Sequence, residues 1–389
     1  MINISSTLEN DLAKHNVYDA WQFVLNTQKN LLTANYCSSV INNSIQIMNS
    51  EHKDWQNEIF NNLFDKSRKS RTFNLTDENL PGYEVEILGV KASYPFIIDK
   101  LTKDFFQYVR NSFDSMAQIL NSALLANRCK NRTSVDFPCM LRTFNQQMYS
   151  QSFPDAQAWL NTVDSSSLFK YIDDFNNRTK HTFDVNLKLE MSLLDGNSNT
   201  DIGKFYKKDR QQQDTDILTI INDVYVFANQ CFDDLLNVIT NNIPRKLYAT
   251  DRFHHLFCYQ QKLKDTSNSN LSVIYLKEDD VSSLPNEIRV LLLNKVEDDF
   301  RSKNSHFKNI FIRNSSKEFI AQYTAKAFIL KEDNMLEYIV YESVHYIGPP
   351  ALFNAFQESG EKFYNANPYV SVETFSDDED FLHRVQLPF

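Results

Sequence analysis

Three observations predict a mainly α-helical protein, with a helical bundle followed by a small α+β domain. Only 6 Gly and 10 Pro punctuate 389 residues that include 30 Phe and 18 Tyr, a composition suited to long regular elements. Apolar residues recur at the three-to-four spacing of a helix as far as Pro244. Beyond about residue 251 the texture changes to short apolar runs and strict alternation. The boundary is therefore placed between 245 and 246, with 1–245 as the bundle and 246–389 as the α+β domain. Two cores are the ordinary arrangement for a chain of this length.

Up to about residue 70, Trp21, Val24, Leu31 and Leu32 recur at helical spacing, enough for two or three helices. The stretch "DENLPGYEVEILGVKASYP" (77–95) holds a Pro-Gly turn and an alternating "YEVEI", a loop with one short strand. Phe106, Val109, Phe113, Met116, Leu120 and Leu124 then form a single apolar helical stripe. "DSSSLFKYIDDFNNRTKH" (164–181) opens with capping residues Asp164 to Ser167 and puts Leu168, Ile172 and Phe175 on one helix face. In "FDVNLKLEMSLL" (183–194), Val185, Leu187 and Leu189 alternate with polar residues, as in a strand or extended arm. A second long helix buries Ile217, Ile220, Val224, Phe227, Cys231 and Val238, and Pro244 stops it.

In the second part, "DRFHHLFC" (251–258) reads as a packed helix and "SVIYL" (272–276) as a strand. "SLPNEIRVLLLNKVEDDF" (283–300) reads as a helix with Ser283 and Pro285 at its start, and "FKNIFI" (307–312) as a strand. "EFIAQYTAKAFIL" (318–330) places Phe319, Ala321, Tyr323, Ala325 and Ala327 on one side and Gln322, Thr324 and Lys326 on the other. A turn at "KEDN" (331–334) joins it to "MLEYIVYES" as an antiparallel hairpin.

A net charge of −10 argues against a protein that coats nucleic acid with its whole surface. Local basic patches remain at "KSRKSR" (66–71), "NRCKNR" (127–132) and "GKFYKKDR" (203–210), each also readable as a solvated face. Cys37, Cys129, Cys139, Cys231 and Cys258 are scattered without a CxxC pair, as in reduced cytosolic chains. No apolar run reaches 18 residues and the start lacks a signal-peptide pattern, so the expectation is a cytoplasmic protein with no membrane partner. Phosphate loops, zinc-protease, nucleophile-elbow and EF-hand motifs are missing, and no cofactor or metal is expected.

The densest polar stretch is "FNNRTKH" (175–181). With Phe175, Ile172 and Leu168 facing the core, a helix puts Asn177, Asp174 and His181 on the opposite flank and Arg178 at its border. Arg178 and His181, three apart, can touch. Without a metal, such a pair can cleave RNA, His as general acid/base and Arg or Lys on the phosphate. The same residues also describe an ordinary helix end: Asp174 and Arg178 make an i, i+4 ion pair, and Lys180 and His181 complement the dipole.

The order of "FFQYVRNSFDSMAQIL", "YIDDFNNRTKH", "KFYKKD" and the helix after it resembles that of HEPN-superfamily domains, over about residues 1–245. The resemblance implies an up-down helical bundle that dimerises. It also implies a metal-independent endoribonuclease or an RNA-binding relative in prokaryotic defence or toxin systems. In the family's R-x4–6-H motif the Arg would fall at Asp174, Phe175 or Asn176, none of which is Arg; Arg178 lies nearer to His181. On this likeness His181 is the acid/base, Asn177 an orienting group, and Arg178 and Lys180 hold phosphate. Further RNA contacts then come from Lys66, Arg68, Lys69, Arg71, Lys207 and Lys208. The alternative is a non-catalytic, dimerising protein-interaction module of a defence or regulatory complex, in which the C-terminal domain joins a protein partner. It is motivated by the missing Arg and the acidic balance. Two other constellations are weak. Arg301 and His306 form a literal R-x4-H at chance frequency, and His254, His255 and Cys258 are too few to ligate a metal.

Overall fold

A computed structural model of the chain describes residues 8, 12, 15, 17, 19–64, 82–127, 135–181, 184–192, 198–207, 210–247, 254–259, 273–275, 287–296, 299–304, 309–313, 319–325, 340–344 and 371–374. Helix is the dominant element among them. The two compact units of the chain interleave in sequence. One holds Met1–Ile2, Phe23–Gln118 and Asp136–Val238, the other Asn3–Gln22, Ile119–Val135 and Ile239–Phe389.

Leu8 and Leu12 are helical, and helix α1 (Asp19–Phe64) then runs for 46 residues as a single element. No Gly or Pro interrupts this stretch, so nothing supplies a break. A hairpin follows, β1 (Glu84–Ile87) and β2 (Val90–Ser93), closed by Leu88 and Gly89. Their φ angles of 51° and 79° suit the type I′ loops that match strand twist. Leu88 stands 99% exposed at the tip.

Helix α2 (Tyr94–Leu125) carries the expected stripe: Phe106, Val109, Phe113, Met116, Leu120 and Leu124 are all fully buried. It starts well before that stripe, at a Tyr-Pro pair whose Pro95 suits a first turn. Three short helices follow: α3 (Phe137–Phe144), α4 (Gln147–Ser152) and α5 (Pro154–Ser165). The Asp136 side chain caps α3 by accepting from the Cys139 amide at 2.8 Å. In α5, the Trp159 indole donates to the Cys231 carbonyl at 3.0 Å, tying it to the later helix.

Helix α6 (Ser167–His181) buries Phe169, Tyr171, Ile172, Asp174, Phe175 and Asn176. Leu168, expected on the core face, is only half-buried, and its neighbour Phe169 takes that place. Phe169 lies 4.9 Å from Phe113 and 4.6 Å from Phe137 between ring centroids. Phe175 lies 4.2 Å from Phe106 and 5.7 Å from Phe205. These rings pin α6 to α2, and each aromatic pair adds to simple area burial.

The chain then makes β3 (Leu187–Met191), β4 (Ser198–Ile202), β5 (Phe205–Lys207), β6 (Arg210–Gln212) and β7 (Thr215–Asp216). Strands β3, β4 and β7 form one antiparallel sheet, and β5 pairs with β6 as a separate hairpin. Gly203 between β4 and β5 permits a close approach: its amide donates to the Asn186 carbonyl at 2.8 Å. A Cβ there would sit 2.9 Å from that oxygen. Helix α7 (Ile217–Asn242) buries Ile217, Ile220, Val224 and Cys231 as expected and leaves Phe227 and Val238 half-buried. It ends in a 3₁₀ turn, Ile243–Arg245, around Pro244.

In the other unit, the Leu247 amide donates to the Leu124 carbonyl at 3.2 Å and Asn127 Nδ2 to Asp19 Oδ2 at 3.0 Å. The C-terminal part contributes β8 (His254–Tyr259), β9 (Val273–Tyr275), β10 (Glu287–Val296), β11 (Asp299–Asn304), β12 (Asn309–Arg313), β13 (Phe319–Ala325), β14 (Val340–Val344) and β15 (Ser371–Thr374). They form an eight-stranded sheet in the order β15-β8-β10-β14-β13-β12-β9, with β11 paired to β10. The β13–β14 antiparallel pairing matches the expected hairpin, while its "KEDN" turn lies outside the described residues.

Two expectations here are corrected. Within the stretch expected as a helix over 283–300, Glu287–Val296 is strand β10 and Asp299 and Phe300 open strand β11, paired antiparallel with it, and His254–Tyr259 is a strand, not a packed helix. A short continuous apolar run such as "RVLLL" suits a strand as well as it suits a helix, because periodicity alone does not separate the two. Here β10 is flanked by β8 and β14.

Candidate functional site

The polar flank of α6 is covered by the β5–β6 hairpin. Asp174, placed by sequence reading on an open flank, is fully buried. Its Oδ1 accepts from Arg210 Nη2 at 2.6 Å and lies 3.6 Å from Lys207 Nζ, and its Oδ2 accepts from Gln212 Nε2 at 3.0 Å. The correction has a direct cause: two cations and an amide that fold back from 33 to 38 residues downstream replace water around the carboxylate.

Asp173, beside it, joins the hairpin to α2. One oxygen accepts from Lys207 Nζ at 2.5 Å and the other from Arg110 Nε at 3.2 Å. Arg110 also donates through Nη1 to Asp114 Oδ1 at 2.6 Å and sits 5.8 Å from the Phe169 ring centroid. Asp114 in turn accepts the Phe137 amide at 3.0 Å, at the start of α3. Burial by itself would raise the Asp173 carboxyl, but Lys207 and Arg110 together hold it below its ordinary value. Burial likewise works against the Arg110 charge, and Asp114 and Asp173 more than compensate.

This geometry disperses the residues that the sequence grouped as catalytic. Asn177 Nδ2 donates back to the Asp173 carbonyl at 2.8 Å within its own helix. Arg178 Nη1 donates to the Tyr206 carbonyl at 3.1 Å, which fastens it to the hairpin backbone. Lys180 and His181 are exposed at the end of α6. Lys207 is committed to Asp173 and Asp174. Lys66, Arg68, Lys69, Arg71 and Lys208 lie outside the described residues, as does His306; Arg301 stands in β11. The network residues Arg110, Asp114, Asp173 and Arg210 were not singled out from sequence. The signal available for them was the Asp-Asp pair of "YIDDF" facing a later "KFYKKDR".

A second buried polar contact lies on α1. His52 Nδ1 is 2.8 Å from the Tyr83 hydroxyl and Nε2 is 3.2 Å from the Ser192 carbonyl oxygen. A carbonyl only accepts, so Nε2 carries the donated proton. Burial, then the nearby Glu51 charge, raises the Tyr83 phenol above its ordinary value. Among the described residues Cys37, Cys139 and Cys231 are buried free thiols, and burial followed by Asp234 pushes Cys231 up to about 12. Among the described residues, no three His, Cys, Asp or Glu side chains are grouped to hold a metal ion, and no helix is long and apolar enough to cross a membrane.

Residues 254–376 match the family model described as a domain of unknown function, DUF8310. This stretch contains strands β8 to β15 and none of the α6 flank. No curated protein and no solved structure matches the chain.

Proposed function

We propose that this chain is a non-catalytic, dimerising protein-interaction module of a cytoplasmic prokaryotic defence or regulatory complex, with its C-terminal sheet region meeting a further protein partner. The observation that carries this reading is the commitment of the α6 flank to its own fold. Arg178 binds the hairpin backbone, Asn177 binds its own helix, and Lys207 is held by two carboxylates. A cleaving site needs a base and a phosphate-holding cation converging on one open spot. The test is incubation of the purified protein with total and transfer RNA in EDTA, read on a denaturing gel. Intact RNA is the expected result; cleavage by wild type that disappears in His181→Ala overturns the reading.

One observation favours the second reading, a HEPN-like protein that engages RNA. Lys180 and His181 are adjacent and exposed at the end of α6. If they contact phosphate, RNA retention on a filter falls steeply with added salt, and Lys180→Ala lowers the slope by about one counterion. Salt-insensitive, negligible retention returns the case to the interaction module.

A further inference from the structure

The outward face of α1 inverts the usual rule for a helix in contact with water. From Asn30 to Ser50 there is no Asp, Glu, Lys, Arg or His. Within or beside this stretch Leu25, Leu32, Tyr36 and Ile47 are 38%, 41%, 65% and 45% exposed. Leu25, Tyr36 and Ile47 recur every 11 residues, which returns to nearly the same side of a helix after three turns, and Leu32 falls beside them. The four therefore form one narrow stripe along a straight helix. Charge returns only at its ends, with exposed Lys29 near the N-terminal side and exposed Asp54 beyond the C-terminal side, both within the same sector.

We infer that this stripe is the surface on which two copies of the chain pair, α1 against α1 in antiparallel orientation. The inference rests on the interaction-module reading and names its partner. A two-fold contact requires that residue i of one copy meet residue j of the other and the reverse. A register centred between Ile41 and Asn42 satisfies this with both charge and apolar contacts: Lys29 faces Asp54 twice, and Tyr36 faces Ile47 twice. A parallel pairing would set Lys29 against Lys29 and Asp54 against Asp54. Chains of net charge −10 repel one another, and a contact through the uncharged stretch Asn30–Ser50 adds no like-charge pair to that repulsion. From Leu25 to Asp54 the strip is about 44 Å long and about 10 Å wide, so pairing removes on the order of 900 Å² in total, the size of a weak, concentration-dependent interface.

The test uses the purified full chain in sedimentation and light scattering. Wild type is expected at twice the 45.5 kDa chain mass. Tyr36→Lys with Ile47→Lys should reduce it to the single-chain mass with an unchanged circular dichroism spectrum. Lys29→Asp alone and Asp54→Lys alone should each weaken pairing about tenfold, and the two together should restore it. A wild-type monomer, or a dimer that survives Tyr36→Lys with Ile47→Lys, overturns the inference. So does a charge exchange that fails to restore a pairing lost in the single variants. Failure of the underlying functional reading has a separate readout, the RNA gel, so the two are told apart.

Discussion

The inner flank of α6 and the outer face of α1 reverse each other's chemistry. On α6 a carboxylate, Asp174, is fully buried among two cations and an amide. On α1 a tyrosine and three aliphatic residues face water along a stretch without charge. In each case the partner, not the residue's own hydropathy, decides the environment. Asp174 has its partner within the chain, on a hairpin that arrives later in sequence. The α1 stripe has none within the described residues of its own chain, which is why we assign it a second copy.

The sharpest way to break this contrast is to remove what α6 packs with on its apolar side. Phe113→Ala empties a fully buried ring site against Phe137, Phe169 and Phe227. A loss of about 3–5 kcal/mol is expected in urea unfolding. Next is Asp174→Ala, which strands the Arg210 and Lys207 cations against a carboxylate-shaped gap. The partners keep some access to water, so about 2–3 kcal/mol is expected, and the β5–β6 hairpin should become the earliest site of proteolysis.

The third is a pH experiment on Asp173. Its folded value is depressed, so its contribution to stability is present above the unfolded value, 3.8 in an ordinary Asp, and is lost as pH falls through the folded value below that. Thermal scans from pH 7 down to about pH 2.5 should show a shallower acid decline in Asp173→Asn than in wild type. Fourth, Leu88→Asn should raise stability by up to about 1 kcal/mol, because Asn accepts the positive φ of this exposed loop position better than Leu does. Smallest is Lys188→Ala. Its bridge to Asp214 is solvent-exposed, and the melting temperature should not move measurably, in contrast to Asp174→Ala.

Sequence periodicity located the apolar side of the bundle well. The α2 stripe from Phe106 to Leu124 is buried throughout, and the α7 ladder holds at Ile217, Ile220, Val224 and Cys231. It failed where one helix face has two different covers. On α6 the apolar residues do face α2, but the flank assigned to water is roofed by Lys207, Arg210 and Gln212, and no local pattern reports a cover that arrives from a distant segment. The candidate site was therefore visible as a cluster of polar residues, and its internal pairing was not. In the C-terminal part, alternation at Phe319–Ala325 gave the β13 strand, in which Tyr323 is the buried residue of 321–325. "RVLLLNKV" defeated the same method, since a short continuous apolar run carries no period that separates a strand from a helix, and β13, paired on both edges like β10, was legible only because its residues alternate.

The interleaving of the two compact units has a consequence for synthesis. One unit draws on residues 3–22 and 119–135 as well as on 239–389. A ribosome releases the first two segments long before the third exists, so this unit cannot close until the segment from residue 239 onward has been made. A nascent chain must hold those early segments in waiting, and a fragment ended at residue 245 would leave them without most of the unit to which they belong.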